Sequence, residues 1–98
     1  MLFAVIFTDK PGLGELRAAH LQAHIDWLEL HQVLVPVGGS LRREPGEVPV
    51  GGLWVAQAES RAQLEALIHT DPFYLAGLRE RYEILYWSKA NAERMALI

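Results

Sequence analysis

Residues 2–8, Leu2-Phe3-Ala4-Val5-Ile6-Phe7-Thr8, are apolar at every position but the last. Side chains alternate across a pleated strand, so this run sends Leu2, Ala4 and Ile6 one way and Phe3, Val5 and Phe7 the other. A strand apolar on both sides must be covered on both sides. The run has no basic start and no cleavage site, and Asp9-Lys10 interrupts it, so it reads as a strand rather than a signal peptide or a membrane span.

The rest of the chain supplies the cover. Asp9-Lys10-Pro11-Gly12 is a turn. Residues 13–31 read as a helix in which Ala18, Leu21, Ile25 and Leu28 form the stripe expected to face a sheet. Arg17, His20, His24 and His31 lie on the adjacent flank, and Leu16, Ala23, Trp27 and Leu30 form a third strip. A second strand is expected over Gln32 to Val37, centred on Val33-Leu34-Val35; Pro36 cannot donate to a ladder and makes it an edge strand. Gly38-Gly39-Ser40 ends it, residues 41–50 form a polar loop, and Gly51-Gly52 leads into a third strand, residues 53–58. Ser60 and Gln63 have capping-box spacing at the start of a second helix carrying Leu64, Leu67 and Ile68. Asp71-Pro72 marks a bend and a new helical turn, since Pro suits the first helical position and Asp caps it. That short helix runs over residues 73–79, with Gly77 near its end. Residues 81–88 are the last strand, with Tyr82, Ile84 and Tyr86 on one side and Leu85 and Trp87 on the other. Residues 89–98 look locally helical.

The order is β-α-β-β-α-β, the ferredoxin-like unit: one α+β domain over residues 1–98 with a four-stranded antiparallel sheet. Two helices cover one sheet face and leave an apolar face bare. A face of that size rarely stays exposed, so a homodimer with stacked sheets is expected, with a cavity at the interface or between sheet and helices.

The net charge of −3, with scattered cations, argues against nucleic acid as a partner. The chain has no cysteine, which removes disulfides, thiol catalysis and Cys-based metal sites. No membrane partner is expected, and a cytoplasmic location fits.

His20 and His24, four apart on a helix, have the spacing of half a metal site, but the acid of an HExxH motif is missing; a flank of surface histidines is the plainer reading, and no metal is expected. His31, near the helix end, makes a favourable dipole contact. His24 with Asp71 is the stronger pairing. A carboxylate on one ring nitrogen fixes the tautomer and leaves the other nitrogen to move a proton. The plain alternatives are Asp71 as a helix cap only and His24 as a half-buried histidine bonded to an unremarkable group. Arg17, two turns before His24, suits an anionic substrate group; a solvated charge is the alternative. Trp27, Trp54, Tyr82 and Trp87 suit core packing before any pocket.

The opening strand with Thr8-Asp9-Lys10-Pro11, then Arg17, His24, the Gly39 turn, Asp71-Pro72-Phe73 with Gly77-Leu78, and Trp87 in the last strand together resemble the YCII-related (YciI-like) family. The resemblance covers roughly residues 2–90. It implies a dimeric α+β barrel like that of muconolactone isomerases. It also implies a His–Asp pair in a cleft, carried onto His24 and Asp71, with Arg17, Gly39, Ser40 and Phe73 as substrate-binding positions. One branch of the family resembles dehydrochlorinases of chlorinated hydroxyquinols. The implied function is a cofactor-free lyase or isomerase acting on a small aromatic or lactone-like substrate. A non-catalytic binding or accessory module using the same cleft is the alternative. Two features depart from the family pattern: Gly39-Ser40 stands where Gly-Pro is usual, and the link from the first helix to the second strand is short.

Overall fold

The computed structural model describes residues 1–96. Its elements run β1 (Leu2–Asp9), α1 (Gly14–Leu30), β2 (Val37–Leu41), β3 (Gly51–Gln57), α2 (Arg61–Ile68), α3 (Pro72–Leu75) and β4 (Arg79–Tyr86). The strands form one antiparallel sheet in the order β2-β3-β1-β4. The doubly apolar β1 lies in the interior of that sheet, as its composition requires. Phe3, Val5 and Phe7 are buried under the helices with Trp54, Ala56 and Ile84 from the neighbouring strands, and with Trp27, Leu64 and Ile68.

The caps explain the second half of the chain. Ser60 Oγ accepts the Gln63 N–H at 3.1 Å, and Gln63 Oε1 accepts the Glu59 N–H at 2.8 Å, so α2 starts where its capping spacing places it. Asp71 is the N-cap of α3, with Pro72 in the first turn. Gly77, at φ 81°, supplies the left-handed turn into β4.

Several expectations are corrected. The sheet does not close into a barrel: β2 and β4 are its two edges and pair only with β3 and β1 respectively. Four strands with ordinary twist are too few for closure, which takes about eight. The homodimer, expected from the bare apolar sheet face, is not needed for the pairing, since one chain by itself joins His24 to Asp71. The outer sheet face carries Leu2, Ala4, Ile6, Val37, Leu41, Leu53, Val55 and Leu85, interrupted by Thr8, Gln57, Arg81 and Glu83.

The second strand is Val37–Leu41, not Gln32–Val37, because residues 31–34 turn and Val35 plugs the core at 3% exposure instead of pairing. It remains an edge strand. The last strand begins at Arg79 rather than Arg81, and α3 ends at Leu75. The expected stripe of α1 faces the sheet only in part: Leu28 packs on the core and Leu21 is half-buried, but Ala18 and Ile25 are exposed, and His24 and Trp27 are the buried residues. Residues 87–96 contain no helix; the remaining two positions of the expected tail helix lie outside the described residues. Among the described residues no helix is long and apolar enough to cross a membrane.

Candidate functional site

α1 carries apolar residues on more than one side, so periodicity alone cannot orient it. The polar partner decides. His24 Nδ1 lies 2.6 Å from Asp71 Oδ1, across forty-seven positions of sequence. The same carboxylate oxygen accepts the Phe73 N–H at 3.1 Å. Asp71 is fully buried and His24 is 7% exposed. With the carboxylate as acceptor, Nδ1 bears the ring hydrogen and Nε2 is left with its lone pair. Nε2 bonds no protein group among the described residues and is not one of the sealed, unpartnered polar atoms, so it reaches the surface of the site.

Aromatic rings hold the imidazole. Phe73 stacks on it with centroids 4.0 Å apart and planes 16° apart, and Trp27 lies near-parallel to it at 6.4 Å. Trp27 is itself fixed, donating from Nε1 to Thr70 Oγ1 at 3.2 Å, while the Thr70 hydroxyl donates to the Leu67 carbonyl at 2.7 Å. The imidazole therefore has little rotational freedom, and its one free nitrogen points in a fixed direction.

A cationic cluster adjoins the rings. The Arg17 guanidinium sits 5.1 Å from the Phe73 ring centre. Arg79 lies 5.1 Å from the same ring and 4.3 Å from that of Phe7, and donates from Nη1 to Asp9 Oδ1 at 2.7 Å. Both members of this pair are almost completely buried. Burial lowers the pKa of Arg17 from its ordinary value; Asp9 opposes the shift, while the charges of Arg79 and Arg42 add to it. Arg17 still stays protonated at any physiological pH.

The structure thus brings His24, Asp71, Phe73 and Arg17 together. It places Ser40 opposite Gly52 on the helix-facing side of the sheet; a Cβ on Gly52 would lie 3.5 Å from the Arg79 guanidinium. Gly39 pairs with Leu53, on the opposite face from the imidazole. His20 is half-buried on α1, and His31 packs against the Trp27 ring at 4.6 Å. No three His, Asp or Glu side chains gather to hold a metal ion among the described residues. Asp9 and Arg79 belong to the surroundings of the site although sequence reading gave them no role there, and Trp27, read first as core and second as pocket, belongs there too. Asp9 had a signal: it continues the inward parity of Phe3, Val5 and Phe7.

The model of the YCII-related domain matches residues 1–88 of the chain. No curated protein matches the sequence. Among solved structures, the chain is similar to a 5-chloro-2-hydroxyhydroquinone dehydrochlorinase from Burkholderia phenoliruptrix AC1100, in complex with 2,5-dihydroxybenzoquinone. The two share 30% identity and a TM-score of 0.80, over 89% of this chain and 93% of the other.

Proposed function

Because the chain belongs to the YCII-related domain family, we propose that it is a cofactor-free enzyme of lyase or isomerase type, acting on a small aromatic or lactone-like molecule through His24 and Asp71. One observation carries the reading: the buried 2.6 Å contact between His24 Nδ1 and Asp71 Oδ1, with Nε2 left open. Nε2 takes a proton from a substrate carbon or hydroxyl. The electron pair it releases becomes a new double bond. In a lyase a leaving group departs with its own electron pair, and the proton later passes from Nε2 to water; in an isomerase Nε2 returns the proton to a different substrate atom. Asp71 holds the imidazole in one tautomer and stabilises the imidazolium that forms. Phe73, fully buried against the imidazole, keeps that ring in place, while Arg17 meets a negative group on the substrate and Ser40 lies toward the same side.

The dehydrochlorinase resemblance suggests the assay, which is chloride release from chlorinated hydroxyhydroquinones. Asp71→Asn and His24→Gln are expected to lower kcat by roughly 10²- to 10⁴-fold, the usual worth of a positioned acid–base group. Asn caps a helix about as well as Asp, so Asp71→Asn should keep its circular dichroism spectrum and nearly its unfolding midpoint. Undiminished turnover in either variant overturns the reading.

A further inference from the structure

A cavity of about 380 Å³ is walled by the β1–α1 turn, the start of α1, the end of the β2–β3 loop and Leu78. That volume is toward the low end of small-molecule sites, which run from roughly 300 to 1,000 Å³. We propose that this cavity binds the carboxylate of a small organic acid with an apolar frame, held by Lys10, Arg17 and Arg43. The inference goes beyond the acid–base reading of His24 and Asp71, neither of which lines this cavity.

Charge is the first argument. The chain carries nine Lys and Arg against twelve Asp and Glu, a net −3. Yet Lys10, Arg17 and Arg43 all line this cavity, while its one acid, Asp9, is already engaged by Arg79 at 2.7 Å. Among the described residues none of the three cations has a carboxylate within ion-pair distance. Arg42, the next cation in the loop, is held to the Glu47 carbonyl at 3.1 Å. The first turn of α1, which has no side-chain cap, contributes charge of the same sign.

The walls are the second argument. Pro11, Leu13, Val48, Val50 and Leu78 leave the remaining surface largely apolar. Inorganic anions make no use of such walls, and a hydrocarbon makes no use of three cations; an aryl or alkyl carboxylate uses both. The walls are also built. The Asp9 N–H donates to the Val50 carbonyl, and the Val50 N–H to the Leu41 carbonyl, each at 2.8 Å. The Val48 side chain packs within 3.7 Å of where a Cβ on Gly14 would stand. Arg17 links cavity and dyad: it lines the one and lies over the Phe73 ring that stacks on His24. A carboxylate on the planar Arg17 fork therefore sits one aromatic ring away from the imidazole.

The test is an amide NMR titration of the full chain with benzoate, with benzyl alcohol and with inorganic phosphate. Benzoate is expected to shift the amides of Gly12, Gly14 and Val50, and to bind at least ten times more tightly than the other two. Lys10→Ala and Arg43→Ala should each weaken it by roughly three- to ten-fold, as removal of a partly desolvated charge does. Benzyl alcohol or phosphate matching benzoate, absence of shifts at those amides, or unchanged affinity in both variants overturns the proposal. Chloride release by His24→Gln reports on the dyad separately. Lost benzoate binding with a dead His24→Gln variant sinks the cavity alone; intact benzoate binding with a fully active variant sinks the dyad alone.

Discussion

Asp9 and Arg79 lie seventy positions apart and meet in the core, each with a side chain 3% exposed. Such a pair contributes little over a well-packed apolar pair, but removal of one partner strands the other charge out of water. Asp9 Oδ2 and Arg79 Nε already lack hydrogen-bond partners. Arg79→Met is therefore expected to lower the unfolding free energy by roughly 3–5 kcal/mol, measured by urea denaturation. Asp9→Asn added to it should recover part of the loss. A near-neutral Arg79→Met would show that the carboxylate is adequately solvated. At this scale the sequence was unevenly legible. Asp71-Pro72 announced a cap, and a cap it is. The joining of Asp71 to His24 followed from the family resemblance and not from spacing, because local pattern carries no information about a partner forty-seven positions away. Arg79 stayed hidden for the same reason, since an isolated arginine before a strand ordinarily signals a solvated end.

Among the elements, α2 was legible from Ser60 and Gln63, since capping is local chemistry. β2 was misplaced, and the glycines explain how. Val33-Leu34-Val35 has strand composition but follows directly on α1, and it turns there to insert Val35. Gly38-Gly39 resembles a terminator but forms the strand itself. A Cβ at Gly38 would stand 3.1 Å from Trp54 Cδ1 and 3.3 Å from Leu28 Cδ2, so the missing side chain lets β2 pass under α1. Gly51 is tighter still, since a Cβ there would fall 1.9 Å from the Phe7 carbonyl oxygen. Gly51→Ala must push β3 off β1 at that point, and a loss of roughly 2–4 kcal/mol is expected. An unfolding midpoint like that of the unaltered chain would contradict the close approach. The orientation of α1 was misread because a helix with apolar residues on more than one side offers no single preferred face; here the polar contact of His24 chooses it.

For the whole molecule, the order of elements and the antiparallel four-stranded sheet were readable from alternating periodicities, whereas closure into a barrel was not. Closure depends on which strands become edges, and edges are set by pairing rather than by composition. The order β2-β3-β1-β4 makes β1 an inner strand, with partners on both sides over nearly its whole length, while β2 is a five-residue edge. Opening free energies should follow that arrangement. In native-state hydrogen exchange, the amides of Val5 and Phe7 are expected to exchange only through global unfolding, and those of β2 through smaller openings. Equal protection of β2 and β1 would show that the edge is covered.

Asp71 has two employments: one oxygen both opens α3 and steers the imidazole of His24. A lineage of such chains that ceased to need any chemistry would still be pressed to retain a capping Asp or Asn there, simply to stay folded. Persistence of this aspartate among descendants is thus poor testimony that they remain active, and the fate of the histidine is the better witness.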